Sequence, residues 1–166
     1  ETYTGLVLIE GQAAGEFFDQ LLAREVSFPR SLWLEEEERV KEYFHAGAFA
    51  GRLGLRVVSP SLSVFDDPGL QSFEGTPLAG HFNADDQGIR AQKVDLIKDG
   101  ILKDLIMSRE PVKERKASNG HGRGGSQEAA TAHIGNLVIE AAKTSDSAGL
   151  KEELIRQAKA FGLSYG

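Results

Sequence analysis

Two apolar runs separated by Asp99-Gly100 restrict how the middle of this chain can fold. Aspartate followed by glycine suits a two-residue turn in which both positions have positive φ, and such a turn joins two antiparallel strands. We therefore predict a central hairpin over about residues 89–107. Its apolar residues form the doublets Leu96-Ile97 and Ile101-Leu102 instead of alternating strictly. This pattern predicts a hairpin that is covered on both faces or bulged near its turn.

Helical spacing of apolar residues predicts three helices. The first begins near Gln12, and the second, over residues 34–45, has acidic and basic side chains four positions apart. The third covers residues 149–161, with a capping side chain at 145–147. Apolar runs of strand length occupy residues 4–9, 57–65 and 134–141. We expect an α+β fold, with a mixed or mostly antiparallel sheet and three packed helices.

Composition narrows the class of protein. The 166 residues are 40% hydrophobic, enough for one core, and we expect either a single domain or a fragment of a longer protein. The formal net charge of -6 argues against nucleic acid or an anionic membrane as a partner. Cysteine is absent, which excludes disulfides and thiolate zinc sites. No signal peptide and no apolar run of roughly 18 residues are visible. We expect a cytoplasmic protein.

Few side chains have an obvious chemistry. The four histidines, His45, His81, His121 and His133, have no short ligand spacing such as HExxH, and we expect no metal site built from them alone. Two carboxylate doublets, Asp66-Asp67 and Asp85-Asp86, fit a divalent cation site or a shared proton. A turn follows each doublet, and we favour a structural role in which the side chains cap the turn amides.

Residues 117–126, ASNGHGRGGS, are the most glycine-dense part of the chain, and we expect a mobile loop. Backbone amides in such a loop can bind phosphate, but the GxxxxGK[ST] arrangement of nucleotide-binding loops is missing. The loop is also a candidate site for a peptide backbone or a carboxylate. The candidate substrate-binding residues are Asn119, Gly120, His121 and Arg123.

Taken together, these segments resemble the TldD/PmbA family, which is named for modulation of DNA gyrase and is related to metallopeptidases. The similar segments are residues 7–14 leading into a helix, 51–54, 64–68, 85–88, 96–102 and 118–123. Their order and approximate spacing agree with the family over most of the chain. The resemblance implies an α+β fold in which mixed or antiparallel sheet packs with helices.

The resemblance also implies a zinc site from which this chain departs. Catalytic members have an HExxxH motif on the helix after the first strand, with two zinc-binding histidines and a glutamate as general base. The aligned positions here are Asp19-Gln20-Leu21-Leu22-Ala23-Arg24. Arg24 cannot bind a metal, and Gln20 cannot take a proton. We therefore predict neither a metal ligand nor a cofactor in this chain, and no confident catalytic residue.

Three functions are consistent with these features. The first is a degenerate, metal-free subunit that binds peptide along a strand edge and supports an active partner in a homo- or hetero-oligomer. A sub-case is an active zinc peptidase whose ligands lie outside this fragment. The second is an oligomer-assembly module without a substrate. The third, gyrase modulation through DNA contact, fits the charge poorly. A groove at residues 117–126 favours peptide binding, whereas a disordered or buried loop favours assembly.

Overall fold

The computed structural model describes residues 4–28, 47–110, 112, 115–125 and 129–163. Two helices lie in these residues, α1 (Gln12–Leu22) and α2 (Ser147–Ala160). The strands are β1 (Leu62–Asp66), β2 (Ser72–Phe73), β3 (Thr76–Pro77), β4 (Val94–Lys98), β5 (Ile101–Leu102), β6 (Gly122–Arg123), β7 (Thr131–Ala132) and β8 (Leu137–Ala141). Helices and antiparallel strands together give the expected α+β class. The predicted helix over residues 34–45 lies outside the described residues, so two packed helices are described rather than three.

The chain divides into two compact units. The first contains Glu1–Phe18 and Lys143–Gly166, and the second contains Asp19–Ala142. The division falls within α1, so the last turn of this helix belongs to the second unit. Neither helix in the described residues is long and apolar enough to cross a membrane.

A four-stranded antiparallel sheet in the order β5-β4-β1-β8 forms the centre of the second unit. Strand β1 lies between β4 and β8, which is why Val64 and Asp66 are buried. The register between β1 and β4 shifts at Val64 and Phe65, where one extra residue is accommodated as a bulge. Two further two-stranded ladders, β2-β3 and β6-β7, lie outside this sheet.

Strands β4 and β5 pair across Asp99-Gly100, and both turn residues have positive φ, 50° and 78°. The paired residues cover 94–102, a shorter span than the predicted 89–107. Residues after 102 leave the ladder, because Ile106 instead forms a parallel bridge with Ser27. Both members of the Leu96-Ile97 doublet are buried, so this strand is covered on both faces.

The core of the second unit is built from the central sheet and the segment that follows β5. Its most buried apolar side chains are Leu22, Val26, Val64, Leu96, Ile97, Leu102, Leu105, Ile106 and Met107. Backbone hydrogen bonds join residues 26–28 to this segment: the Ile106 amide donates to Val26 (2.8 Å) and the Phe28 amide to Ile106 (3.0 Å). The end of α1 is thereby fixed against the segment 105–107.

The first unit contains α2, whose N-cap is Asp146, one of the three capping positions predicted. Its carboxylate accepts a hydrogen bond from the Gly149 amide at 2.8 Å. Farther along the helix, hydrogen bonds from Arg156 and then Gln157 lower the pKa of Glu153 to about 2. The strand predicted over residues 4–9 was wrong, because these residues form no ladder in the described structure. Val7 there is 66% exposed, so its apolar side chain does not fill a sheet.

Candidate cleft beside the end of helix α1

A cavity of about 420 Å³ lies in the second unit beside the end of α1. Its lining combines apolar, hydroxyl and charged side chains and includes two of the residues that align with the HExxxH motif. The lining residues are Asp19, Ala23, Arg24, Ser27, Phe28, Gly47, Met107, Ser108, Glu110, Val112, Thr131, Ala132, His133 and Ile134. Half of these residues are polar or charged, so the cavity offers several hydrogen-bonding groups beside its apolar surface.

The last turn of α1 and the turn that follows it place Asp19 and Arg24 at the cavity. Leu22 and Val26 are buried and hold the inner side of these turns in the core. Hydrogen bonds from the Ala23 amide to Asp19 (2.9 Å) and from the Val26 amide to Leu22 (3.1 Å) continue the helical backbone beyond α1. With the inner side fixed, the side chains of Asp19 and Arg24 remain exposed. Gln20 is exposed as well, but it does not line the cavity.

The opposite wall is formed by β7 and the two residues that follow it. The His133 amide donates to the His121 carbonyl at 3.0 Å, and Ser27 donates a long hydrogen bond to Ala132 at 3.4 Å. The Thr131 hydroxyl and the His133 Nε2 share a hydrogen bond of 2.9 Å, which is expected for side chains two residues apart on one face of a strand. This bond orients the imidazole of His133 at the cavity.

A second cavity, of about 410 Å³, borders the same strand. Thr131, His133 and Ile134 line both cavities, and Asp86 and Arg123 line the second one alone. We refer to the two cavities together as the β7 cleft. An extended chain laid along β7 would contact both cavities.

The glycine-rich loop lies behind this wall, and His121 is its most buried side chain. Its side chain is 0% exposed, and its Nε2 lies 2.8 Å from Oδ2 of Asp66, which is equally buried. The Nδ1 atom lies 3.1 Å from both the carbonyl oxygen and the Oδ1 of Asn119. Both ring nitrogens of His121 therefore lie within hydrogen-bond distance of oxygen atoms.

Asp66 ties the loop to the central sheet. Besides the contact with His121, its Oδ2 accepts a hydrogen bond from the Gly135 amide at 2.9 Å. Its Oδ1 is buried without a hydrogen-bond partner in the described structure. The carboxylate thus joins β1 to the loop on one side and to the turn before β8 on the other. This is a structural role, although it differs from the turn capping expected for the doublet.

Asn119 and Gly120 also have contacts that fix the backbone. Asn119 accepts a hydrogen bond from the Met107 amide (2.7 Å) and donates one to the Leu105 carbonyl (2.9 Å), as a neighbouring strand would. Gly120 has φ +78°, and a Cβ there would lie 2.3 Å from the carbonyl oxygen of Arg90. A side chain at position 120 would therefore have to displace backbone, and loss of the Asn119 side chain would leave two backbone groups without their partners.

Of these four loop residues, Arg123 lines one of the two cavities of the β7 cleft, and the other three line neither. Its guanidinium lies 3.2 Å from an Asp86 oxygen and 4.7 Å from the ring centre of Phe82. The structure therefore does not bring the side chains of Asn119, His121 and Arg123 together in one groove. Asp19 and Arg24 do share a cavity, and Ser108, Thr131 and His133 join them from distant parts of the chain. Sequence patterns alone do not predict that these residues line one cavity.

Asp67 and Asp85 cap turns as expected, whereas Asp86 instead accepts a hydrogen bond from the distant Gly124 amide at 2.9 Å and pairs with Arg123. Asp67 accepts from the Gly69 amide at 2.9 Å, and Asp85 accepts from the amides of Gln87 (3.0 Å) and Ile89 (2.8 Å). Asp85 also accepts from the Gly122 amide at 2.9 Å and so holds β6 in place. These contacts occupy the carboxylates with backbone donors.

The zinc implied by the family resemblance does not fit the residues of this cavity. Zinc needs three or four histidine, cysteine or carboxylate ligands. No group of three such side chains is close enough to hold a metal ion within the residues described. At the aligned positions, Asp19 is a single carboxylate, and Arg24 presents a cation where a metal ligand would be required.

Comparisons with known proteins place this chain in a family. Residues 6–162 match the family model described as the PmbA/TldA metallopeptidase C-terminal domain. A protein of Archaeoglobus fulgidus named "Metalloprotease" is 33% identical over 95 residues, which cover 57% of this chain and 21% of that protein. A protein of the same name from Methanothermobacter thermautotrophicus is 33% identical over 60 residues, covering 36% of this chain and 12% of that protein.

Two solved structures share the fold. TldE from Thermococcus kodakarensis has a TM-score of 0.54 at 23% identity, covering 79% of this chain and 26% of that chain. A Thermotoga maritima protein described as a candidate modulator of a DNA gyrase has a TM-score of 0.58 at 19% identity, covering 82% of this chain and 27% of that chain. This chain thus spans about a quarter of the length of these proteins. By the match to its family model, the chain belongs to the PmbA/TldA metallopeptidase C-terminal domain family.

Proposed function

We propose that this domain is a metal-free member of its family that binds an extended peptide in the β7 cleft and supports a related, active subunit in proteolysis. The observation that carries the proposal is the composition of the cavity beside α1. It offers room for a ligand, and its wall is a short strand. At the positions aligned with the zinc ligands, however, it has Asp19 and Arg24. Such a site can bind a peptide without activating water.

Burial of His121 in the glycine-rich loop is the outcome expected of an assembly module, so the loop itself does not support peptide binding. The site proposed for the peptide therefore differs from the one expected from the sequence. His121 and Asn119 are engaged in the contacts that hold the loop, so a ligand would compete with existing hydrogen bonds. Arg123 remains a candidate contact because it lines the second cavity. Peptide binding is therefore assigned to the β7 cleft, with the glycine-rich loop as its support.

Metal analysis tests the first half of the proposal. The full-length protein that contains this domain would be purified without chelators and its zinc content measured by elemental analysis, followed by a calorimetric zinc titration at neutral pH. We expect substoichiometric zinc and no binding heat. Near-stoichiometric zinc that is lost on substitution of Asp19 or His133 would contradict a metal-free cleft. Zinc that survives both substitutions would place a metal site elsewhere in the protein.

Peptide binding tests the second half. Unstructured peptides would be titrated into the isotope-labelled protein, and backbone amide shifts would be followed by NMR. Saturable shifts at Met107 and at residues 131–134 support the β7 cleft. A cleft that stays silent up to millimolar peptide would favour the alternative of an assembly module without a substrate.

The partnership with a related subunit is supported by the apolar surface of the first unit. Phe161 is 72% exposed and Leu150 is 43% exposed, both on or directly after α2. Exposed apolar side chains of this size are common where a protein surface meets a partner. Light scattering coupled to size-exclusion chromatography would measure the mass of the full-length protein. A monomer, alone and mixed with a catalytic relative, would contradict the partnership.

A further inference from the structure

We infer that Arg24 anchors a carboxylate of the bound peptide, so that the β7 cleft selects peptides carrying a carboxylate at the end lying beside α1. This inference rests on the proposed peptide-binding function and names its ligand class. It assigns a role to a residue for which the cleft offers no other. The carboxylate can come from a free peptide C-terminus or from an acidic side chain.

The guanidinium of Arg24 is available to bind a ligand. No hydrogen bond or ion pair engages it in the part of the chain that the structure describes, and the residue is exposed. Of the two arginines that line the β7 cleft, Arg123 pairs with Asp86, whereas Arg24 has no such pair within the described residues. An unpaired guanidinium at a cavity presents five N–H donors in a planar fork that matches the two oxygens of a carboxylate.

The surroundings of Arg24 are mixed. Phe28, Met107 and Ile134 contribute apolar surface to the cavity, and Glu110 adds a second carboxylate beside that of Asp19. Asp19 lines the same cavity but forms no ion pair with Arg24. It therefore does not neutralise the guanidinium by direct contact. A carboxylate ligand would add the bidentate hydrogen bonds that Arg24 lacks.

Strand β7 connects the two cavities and so defines the direction of an extended ligand. Thr131 and His133 line both cavities, whereas Arg24 lines only the one beside α1. A peptide extended along β7 with its carboxylate at Arg24 would continue past His133 into the second cavity. Its length would then add contacts with Arg123 and the backbone of Gly124. Arg24 would fix the register of the peptide, and β7 would fix the direction in which the peptide runs.

Three forms of one N-acetylated, alanine- and valine-based hexapeptide would test this inference on the full-length protein. One form has a free C-terminal carboxylate, one a C-terminal amide, and one a C-terminal amide with a single glutamate. Dissociation constants would be measured by isothermal titration calorimetry, and the Arg24 Nε–H resonance would be followed by NMR. We expect a carboxylate-bearing form to bind roughly tenfold or more tightly than the plain amide, as one charge-assisted hydrogen bond predicts.

Two variants distinguish the contribution of the positive charge of Arg24 from that of its planar, bidentate guanidinium. Arg24→Gln should bring the carboxylate forms down to the affinity of the plain amide, and Arg24→Lys should recover only part of the difference. Arg52→Gln, at an exposed arginine outside both cavities, is the matched control and should change nothing. Thermal melts of all three variants should match the parent, because exposed substitutions seldom alter folding.

The possible outcomes test the carboxylate anchor and the proposed peptide binding separately. Tighter binding of the free-terminus form identifies a C-terminus as the ligand, and tighter binding of the glutamate form identifies an acidic side chain. If all three forms bind the cleft equally and Arg24→Gln has no effect, the carboxylate anchor is refuted while peptide binding stands. If no form binds the cleft at all, peptide binding fails and the anchor with it.

Discussion

His121 and Arg24 are side chains with N–H donors in two regions of this domain, and their surroundings are opposite. His121 is completely buried, and both of its ring nitrogens face oxygen atoms. Arg24 is exposed at a cavity, and no partner engages its guanidinium in the residues described. The first side chain has its donors committed to holding the fold, and the second has them available for a ligand. Residue type alone would have favoured His121 as the functional group.

The buried region should be sensitive to substitution, and His121→Ala should have the largest effect. The change leaves the buried Asp66 carboxylate without its hydrogen bond to His121 and opens a cavity where the ring was, so we expect the free energy of unfolding to fall by about 3–5 kcal/mol. Urea denaturation followed by circular dichroism would measure it. His133→Ala, at an exposed histidine, is the control and should cost no more than about 0.5 kcal/mol. Equal losses in both variants would contradict the structural role of His121.

Two glycines with nearly the same φ sharpen the comparison. Gly120 (φ +78°) has the Arg90 carbonyl oxygen 2.3 Å from the position of a Cβ, whereas Gly88 (φ +77°) has open space. Gly88→Ala should cost about 1 kcal/mol from backbone strain alone. Gly120→Ala adds a clash with backbone and should cost roughly 1–3 kcal/mol more. Denaturant melts that show no difference between the two variants would mean that the loop does not lie against Arg90.

Asn119→Ala should have an intermediate effect. It removes the acceptor for the Met107 amide and the donor to the Leu105 carbonyl, and leaves these backbone groups unsatisfied. We expect a loss of about 1–3 kcal/mol in the free energy of unfolding. Asn83→Ala, at an exposed asparagine, is the matched control. Hydrogen exchange should also show faster exchange of the Met107 amide in Asn119→Ala than in the control, and unchanged protection would contradict the role of Asn119.

Arg24→Gln should have the smallest effect on folding. Because the side chain is exposed and unpaired in the described structure, we expect the free energy of unfolding to change by no more than about 0.5 kcal/mol. Arg123→Gln provides a comparison, since it breaks a half-exposed pair with Asp86 worth up to about 1 kcal/mol. A large loss from Arg24→Gln would show that Arg24 supports the fold and is not held in reserve for a ligand.

Local features of the fold could be predicted where neighbouring residues determine the structure. The Asp99-Gly100 turn and the Asp146 cap depend on residues within a few positions, and both kinds of signal are visible in the sequence. The strand expected over residues 4–9 failed because an apolar run predicts burial only when a sheet is available to receive it. Val7 is exposed instead. Tertiary context, which the run does not encode, decides such cases.

The candidate site could be predicted only in part. The alignment with the HExxxH motif directed attention to Asp19 and Arg24, and both line the cavity beside α1. The other residues of the cavity could not be predicted. Thr131 and His133 lie more than a hundred positions after Arg24 in the sequence, and the pairing of β6 with β7 places them. The glycine-rich loop has the hydrogen-bond donors of a binding site, which is why the sequence favours it. Its His121 is instead bound to Asp66, 55 positions away in the sequence, and no local pattern signals that contact.

The most direct test of the account is a map of peptide-induced shifts on the full-length, isotope-labelled protein, with the free-carboxylate hexapeptide as ligand. We expect saturable changes at the Arg24 Nε–H, at Met107 and at residues 131–134. We also expect the resonances of the His121 ring nitrogens to stay unchanged, because their contacts with Asp66 and Asn119 are not disturbed. Shifts centred on His121 and Asn119, with Arg24 unaffected, would contradict it and return the binding site to the glycine-rich loop.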